Sequence, residues 1–304
     1  MSKFFAGPFG LRSGWRALLF VVLAFVLGGI CQGLLHLPPL RRPGRKFAEL
    51  SEGGGVLLAI LGAMWIMAPI DGKPLFRYGL GRAHWGRNLL AGVAAGFGAL
   101  SLLMVLLIGA GAFRPGGIVL HGAELAYWSV ESAIAFVFAA CNEELLTRGY
   151  TLFALAQGVG FWPAAAMLSL LFGAGHAGNG GEDFIGVANA VLAGMVFAYS
   201  LWWSGSLWWA IGCHLSWDWG ESFFYGVADS GGVASHHFLS GAPAGPAWLS
   251  GGTVEPEGSV LAALVLAALA AAARFTTPRY RAEGLERLKV LSAPPGNAEC
   301  RPLT

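Results

Sequence analysis

The chain has 304 residues, of which 56% are hydrophobic and only 12% are charged. A soluble domain carries about 25% charged residues, so much of the surface of this protein does not contact water. Nineteen Lys and Arg against seventeen Asp and Glu leave a formal charge of +2, which is too balanced for a nucleic-acid-binding surface. The composition does not fit a disordered chain, a collagen or a coiled coil. We therefore expect an all-α, polytopic membrane protein, without a nucleic-acid partner.

Apolar stretches long enough to cross a hydrocarbon layer of about 30 Å occur along most of the chain. They predict a bundle of about eight transmembrane helices, and the first three of these contain no charged residue. The predicted spans are residues 17–37, 54–70, 89–112, 128–156, 161–176, 184–204, 207–225 and 259–273.

The distribution of basic residues predicts the orientation of the bundle. With eight spans both termini lie on one side, together with thirteen Lys and Arg, against five on the other side. The positive-inside rule then favours cytoplasmic termini, although the basic segment 41–46 opposes it. The Ala- and Gly-rich composition and the short loops suggest a multi-pass protein of a bacterial inner membrane.

Three regions follow from these spans. We expect N-terminal transmembrane helices in residues 1–125, a helical core in residues 126–274, and a short charged cytoplasmic tail in residues 275–304.

The predicted spans between residues 128 and 225 differ from the first three because they contain ionisable side chains. A charge facing lipid costs about 2.5–3.5 kcal/mol even on the lowest scale, so these groups should face one another or a wet cavity. Glu131 and Glu221 are interpreted as residues at helix flanks or ends. The remaining ionisable groups are Glu143, Glu144, Arg148, His176, His214 and Asp218.

Helical spacing places several of these groups on common faces. Glu144 and Arg148 are four residues apart and can pair, as can His214 and Asp218. Glu143 is rotated by about 100° from Glu144 and can point elsewhere. One alternative is that such groups only join helices through hydrogen bonds worth about 1 kcal/mol each. Taken together, however, carboxylates, an arginine and two histidines are the residue types of a hydrolytic site.

Three motifs lie in order on separate apolar helices. Residues 143–148 read E-E-x-x-x-R, residues 172–176 read F-x-x-x-H, and residues 214–218 read H-x-x-x-D. In this order and spacing they resemble the CPBP family of intramembrane proteases, which includes the type II CAAX prenyl endopeptidases and bacteriocin-immunity proteins. The resemblance covers residues 128–273 and implies that the helical core of residues 126–274 is the catalytic part of the chain.

This resemblance implies hydrolysis of a peptide bond near or within the membrane. Glu143 would deprotonate a water that is also held by His176, and His214 would hold the oxyanion. Glu144 and Arg148 would fix the helix and the local electric field. The substrate implied is a peptide or a membrane protein, prenylated or not.

Asp218 departs from the commoner pattern of the family, which has asparagine at this position. An ionised carboxylate would repel an oxyanion, so Asp218 would have to be protonated, orient His214, or bind a metal. In the last case Glu143, His176, His214 and Asp218 would hold zinc or another divalent metal with an open position for water. The cofactor is therefore unknown from the sequence, and metal-free and metal-dependent catalysis both stay open.

Two other classes of function compete with a protease. A non-catalytic immunity or scaffold protein would use the same residues only for structure. A proton- or cation-coupled transporter would use buried carboxylates and histidines as a relay, and is expected to show inverted repeats, of which the sequence gives no convincing sign.

Overall fold

The computed structural model describes residues 6–7, 10–37, 45–229, 232, 234–253 and 255–277. Of the predicted cytoplasmic tail, only residues 275–277 fall within this range. Residues 41–44 of the basic segment also lie outside the described residues.

The described chain is predominantly α-helical, which confirms the predicted all-α membrane architecture. Four short strands form two antiparallel pairs, β1 (Ala6–Gly7) with β2 (Gly10–Leu11) and β3 (Phe113–Ile118) with β4 (Leu239–Pro243). The helices are α1 (Ser13–Leu35), α2 (Arg45–Asp71), α3 (Trp85–Gly109), α4 (Gly122–Glu144), α5 (Leu152–Val159), α6 (Phe161–His176), α7 (Phe184–Ser204), α8 (Trp208–Trp219), α9 (Ala247–Ser250) and α10 (Val260–Thr276).

Five helical segments among the described residues are long and apolar enough to cross a membrane. The helices α6 and α10 have 16 and 17 residues and are shorter, about 24–26 Å at 1.5 Å per residue. Large apolar side chains such as Phe25 and Trp65 lie exposed on the outer surface, as expected of side chains that contact lipid. The five segments are Ser13–Leu35, Leu50–Asp71, Trp85–Gly109, Gly122–Val159 and Phe184–Ser204.

Successive long helices run in opposite directions, so the bundle has two ends. At one end, here called the N-terminal face, Arg16 of α1 donates to Asp71 at the end of α2 and to Gln157 of α5, each over 2.6 Å. The Tyr78 hydroxyl donates to the same Asp71 carboxylate over 2.8 Å. The paired strands β3 and β4 lie at the opposite end, here called the pocket face. A largely buried ion pair thus joins helices α1 and α2 at the N-terminal face, and the hydrogen bond from Arg16 to Gln157 joins helix α5 to them.

The tightest helix contact joins α3 to α8 and depends on glycine. A Cβ placed on Gly92 or Gly96 would overlap the backbone carbonyl oxygen of Trp209 or Cys213, respectively. On α8, a Cβ on Gly212 would overlap a backbone carbonyl of α3 in the same way. Small residues spaced four apart allow membrane helices to approach closely, where van der Waals contact replaces the hydrophobic effect. This contact sets the position of α8, which carries the H-x-x-x-D motif.

We predict that Gly96→Ala forces α3 and α8 apart, because the added methyl group meets backbone that cannot rotate away. Overpacking of this kind costs about 1–3 kcal/mol, so the melting temperature in detergent should fall. Gly98→Ala is the matched control, since nothing lies within 4 Å of a Cβ at that position of α3. Equal melting temperatures for the two variants would contradict the packing role of Gly96.

Candidate active site

The E-E-x-x-x-R motif lies where helix α4 widens into a π-helical turn. The turn covers Leu145–Thr151, and Gly149 within it has the non-helical dihedrals φ −76° and ψ −123°. The Thr147 hydroxyl donates to the carbonyl of Glu143 over 2.5 Å. Insertions of this kind change the direction of the side chains that follow and frequently occur at functional sites. The sequence predicts one helix through this segment and gives little sign of the π-helical turn.

Glu144 and Arg148 form a buried ion pair, with 2.7 Å between Nη1 of the arginine and Oε1 of the glutamate. Their side chains are 0% and 2% exposed. The guanidinium also lies over the rings of Phe172 and Phe197, 4.3 and 5.5 Å from the ring centres. Arg148 is thereby fixed in place and its charge is directed at Glu144.

His214 joins this pair to the two remaining carboxylates of the site. Its Nδ1 lies 3.0 Å from Glu144 Oε1, which places a donated proton on that nitrogen. Its Nε2 lies 3.7 Å from Glu143 Oε2 and 3.5 Å from Asp218 Oδ2. The ring is stacked on Phe197, with 5.2 Å between the ring centres. One imidazole therefore has its two nitrogens directed at carboxylates on opposite sides.

His176 reaches the same site from the end of helix α6. Its Nδ1 lies 2.8 Å from the backbone carbonyl of Phe172, which accepts a hydrogen bond when this nitrogen is protonated. The second ring nitrogen, Nε2, is then available as an acceptor. The F-x-x-x-H spacing thus sets the tautomer of the histidine, because the ring bonds back to the preceding turn.

A cavity of about 200 Å³ brings these side chains together, and Glu143, His176, His214 and Asp218 all line it. The side chain of Glu143 is 43% exposed, whereas that of Glu144 is fully buried. The rotation of 100° between adjacent helical residues accounts for this difference. Glu144 and Arg148 lie behind the lining, where they contact His214 and the aromatic rings.

Three carboxylates that the sequence analysis did not select also line the cavity. They are Glu182 before helix α7, Asp229 after helix α8, and Glu257 before helix α10. Asn189 donates to the backbone carbonyls of Glu257 and Ser259 over 2.6 and 2.9 Å, which holds this segment against helix α7. These acidic residues are scattered over 75 positions in loops, so their proximity was not visible in the sequence.

Among the described residues, one group of three carboxylates has ligand atoms within 4.8 Å of one another, namely Glu221, Asp229 and Glu257. Glu221 lies in the π-helical turn Gly220–Tyr225 at the end of helix α8, as expected from the sequence, and it is fully buried. This group differs from the predicted metal set of Glu143, His176, His214 and Asp218, and metal dependence stays a prediction.

The E-E-x-x-x-R, F-x-x-x-H and H-x-x-x-D residues therefore meet at one cavity inside a membrane bundle. Residues 125–220 match the family model Type II CAAX prenyl endopeptidase Rce1-like. The match covers about a third of the chain and contains all three motifs, which confirms the resemblance seen in the sequence. It supports, at the level of the family, a CAAX-protease-like intramembrane peptidase that acts on a peptide in a membrane environment. No curated protein and no solved structure matches the chain.

We predict that Arg148→Met destabilises the Rce1-like segment more than most single substitutions. It leaves the Glu144 carboxylate buried without the arginine, and breaking a buried pair from one side costs roughly 3–5 kcal/mol. The melting temperature in detergent should fall strongly. Replacing both residues, Glu144→Gln with Arg148→Met, should recover part of the loss, because no lone charge is left in the core. A double variant less stable than Arg148→Met would contradict this interpretation.

Proposed function

We propose that this protein is an intramembrane endopeptidase in which Glu143 activates a water that attacks the scissile carbonyl. The observation that carries the proposal is the placement of the Glu143 carboxylate, 3.7 Å from His214 Nε2, in a cavity within the matched segment. This separation lets one small molecule or a substrate oxygen contact both groups. Of the two adjacent glutamates, Glu143 is the one that lines the cavity, with a side chain that is 43% exposed although its Oε2 atom is buried.

In the proposed mechanism, Glu143 takes a proton from water as the oxygen forms a bond to the carbonyl carbon. His176 accepts a hydrogen bond from the same water through Nε2, because its Nδ1 carries the proton that is donated to the Phe172 carbonyl. The carbonyl oxygen gains negative charge and accepts a hydrogen bond from His214 Nε2. The carbon–nitrogen bond then breaks, and the proton on Glu143 passes to the leaving amine.

Glu144 and Asp218 prepare His214 for this role. The hydrogen bond from Nδ1 to Glu144 fixes the orientation of the ring. Three nearby carboxylates favour a proton on Nε2, which makes this nitrogen a donor. We propose that Asp218 accepts a hydrogen bond from His214 Nε2 before substrate binds. The oxyanion then replaces Asp218 as the acceptor of this hydrogen bond. An asparagine could accept the same hydrogen bond through its amide oxygen, which agrees with the commoner family pattern.

The substrate is proposed to be a peptide segment of a membrane protein or a membrane-bound peptide. Apolar side chains, among them Phe136, Leu266 and Leu269, form much of the cavity wall. Such a wall can accept apolar residues or a prenyl chain. Cleavage of matched peptides with and without the prenyl group distinguishes these two classes of substrate.

The protein is proposed to span a cell membrane with cytoplasmic termini, as the distribution of basic residues predicts. Three loop carboxylates line one end of the cavity, at the pocket face, opposite the end of the bundle where helix α1 begins and helix α10 ends. With cytoplasmic termini the substrate would therefore enter from the extracytoplasmic side. A fluorescent protein that folds only in the cytoplasm, fused to the C-terminus, tests this orientation. A correctly inserted fusion without fluorescence would show that the C-terminus is extracytoplasmic.

We predict that Glu143→Gln lowers the rate of peptide cleavage by about 10²–10⁴-fold, the usual contribution of a general base. The glutamine keeps the size of the side chain, so the melting temperature should stay close to that of the native protein. Glu124→Gln is a matched control, because Glu124 lies exposed in the first turn of the same helix. Cleavage by Glu143→Gln at the native rate would exclude Glu143 as the base.

Substitution of Asp218 separates the metal-free mechanism from the metal-dependent one. We predict that Asp218→Asn keeps most of the activity and that treatment with a chelator leaves the native enzyme active. A zinc site would give the opposite result, because an amide is a much poorer zinc ligand than a carboxylate. Loss of activity in both experiments, with metal found in the purified protein, would overturn the metal-free mechanism and favour a metal site that includes Asp218.

A further inference from the structure

The cavity is unusually acidic for a site inside a membrane protein. Its described lining contains five carboxylates and two histidines, but no Lys or Arg. The nearest arginine, Arg148, is bound to Glu144 and covered by two aromatic rings, so it contributes little to the open space. The five lining carboxylates are Glu143, Glu182, Asp218, Asp229 and Glu257.

The loops at the pocket end of the cavity have the same charge. Residues 177–183 and 226–258 contain five acidic residues and no Lys or Arg. Asp183 caps helix α7 by accepting from the backbone N–H of Ile185 and Gly186, so its role is structural. Glu182, Asp229 and Glu257 instead face the cavity. A cleft lined by charge of one sign concentrates ligands of the opposite sign.

Asp229 and Glu257 are held close together and close to the candidate catalytic groups. Their carboxylate oxygens and that of the buried Glu221 lie within 4.8 Å of one another. Both residues also lie near enough to Asp218 for their charges to interact. Asp218 in turn is 3.5 Å from His214. Asp218 therefore lies between His214, the imidazole that would hold the oxyanion, and the carboxylates at the acidic end of the cavity.

Burial and mutual repulsion make these loop carboxylates favourable partners for a cation. Burial raises the pKa of Asp229 well above its usual range, and the neighbouring Asp218 and Glu257 raise it further. Burial, followed by Glu257, also raises the pKa of Glu182, while His176 lowers it. A bound positive charge relieves both the repulsion and the cost of ionisation.

We propose that the acidic end of the cavity is a subsite for a positively charged group of the substrate, bound by Glu182, Asp229 and Glu257. The group is a Lys or Arg side chain, or a free amino terminus, one or two residues from the scissile bond. Its aliphatic carbons pack on the apolar wall while its charge reaches the carboxylates. The inference rests on the proposed function in taking the ligand to be a peptide and its scissile bond to lie beside Glu143.

The test uses the full chain in nanodiscs of uncharged phosphatidylcholine, so that lipid charge attracts no peptide. The probes are short N-acetylated apolar peptides that differ at one position, which is Lys, norleucine or Glu; a fourth has norleucine and a free amino terminus. Their Kd is measured on the Glu143→Gln variant, in which cleavage is slow, and kcat/KM is measured on the native protein. The Lys and free-amine peptides distinguish a side-chain cation from a terminal one.

We expect the Lys peptide or the free-amine peptide to bind at least about tenfold more tightly than the acetylated norleucine peptide, and the Glu peptide to bind most weakly. Adding Asp229→Asn and Glu257→Gln should remove most of this preference. Adding Glu124→Gln, an exposed acidic residue elsewhere, should leave it intact. Glu182→Gln provides a single change at the cavity end if the combined variant does not fold.

Equal or undetectable binding of all four peptides would overturn the proposal, as would a preference that survives neutralisation of the carboxylates. A third contrary result would come from Ca²⁺ or Mg²⁺ added without peptide, if it raised the melting temperature, and if the same ion abolished the preference for the Lys peptide at constant ionic strength. The carboxylates would then hold a metal. Failure of the proposed function looks different. In that case no peptide is cleaved by the native protein, although the charge preference in binding persists and depends on Asp229 and Glu257.

Discussion

The Glu144 carboxylate accepts from both Arg148 and His214 through the same oxygen, Oε1, with no exposure of its side chain to solvent. An isolated charge at this depth would be too costly to retain, so the three groups have to be brought together by the fold. Glu144 and His214 are 70 positions apart in the chain and belong to different helices. The geometry of the candidate site depends on this contact, because it fixes the imidazole whose other nitrogen faces Glu143 and Asp218.

The rest of the bundle supports that contact from several directions. The glycines of α3 let α8 approach until backbone touches backbone, which determines how far His214 extends toward α4. The π-helical turn after Glu144 places Arg148 beside it, and the rings of Phe172 and Phe197 enclose the guanidinium. At the N-terminal face, the Arg16–Asp71 pair joins the first two helices to the end of α5. The Arg16–Asp71 pair, which joins helices, therefore lies at a different end of the bundle from the charged groups of the candidate site.

Two adjacent glutamates take different environments because a helix turns by 100° between them. Glu144 points into the protein and is held by Arg148, whereas Glu143 faces the cavity. The same chemical group can therefore serve as a fixed anchor at one position and as a base at the next. The acidic residues of the loops beyond Glu143 also face the cavity, which is the space that a substrate would occupy.

The sequence by itself determined the all-α membrane architecture and indicated the six motif residues of the candidate site, whereas five of the described segments, against about eight predicted spans, are long and apolar enough to cross a membrane. Apolar runs of the length of a bilayer and charges within them are local features, and helical spacing of four residues places Glu144 beside Arg148 and His214 beside Asp218 without further information. Only the tertiary structure decided that His214 bonds to Glu144, that helix α4 widens into a π-helical turn after Glu144, and that Glu182, Asp229 and Glu257 share one cavity. Contacts between loops and helices distant in the chain depend on how the helices pack, and no periodicity within a single helix records that packing.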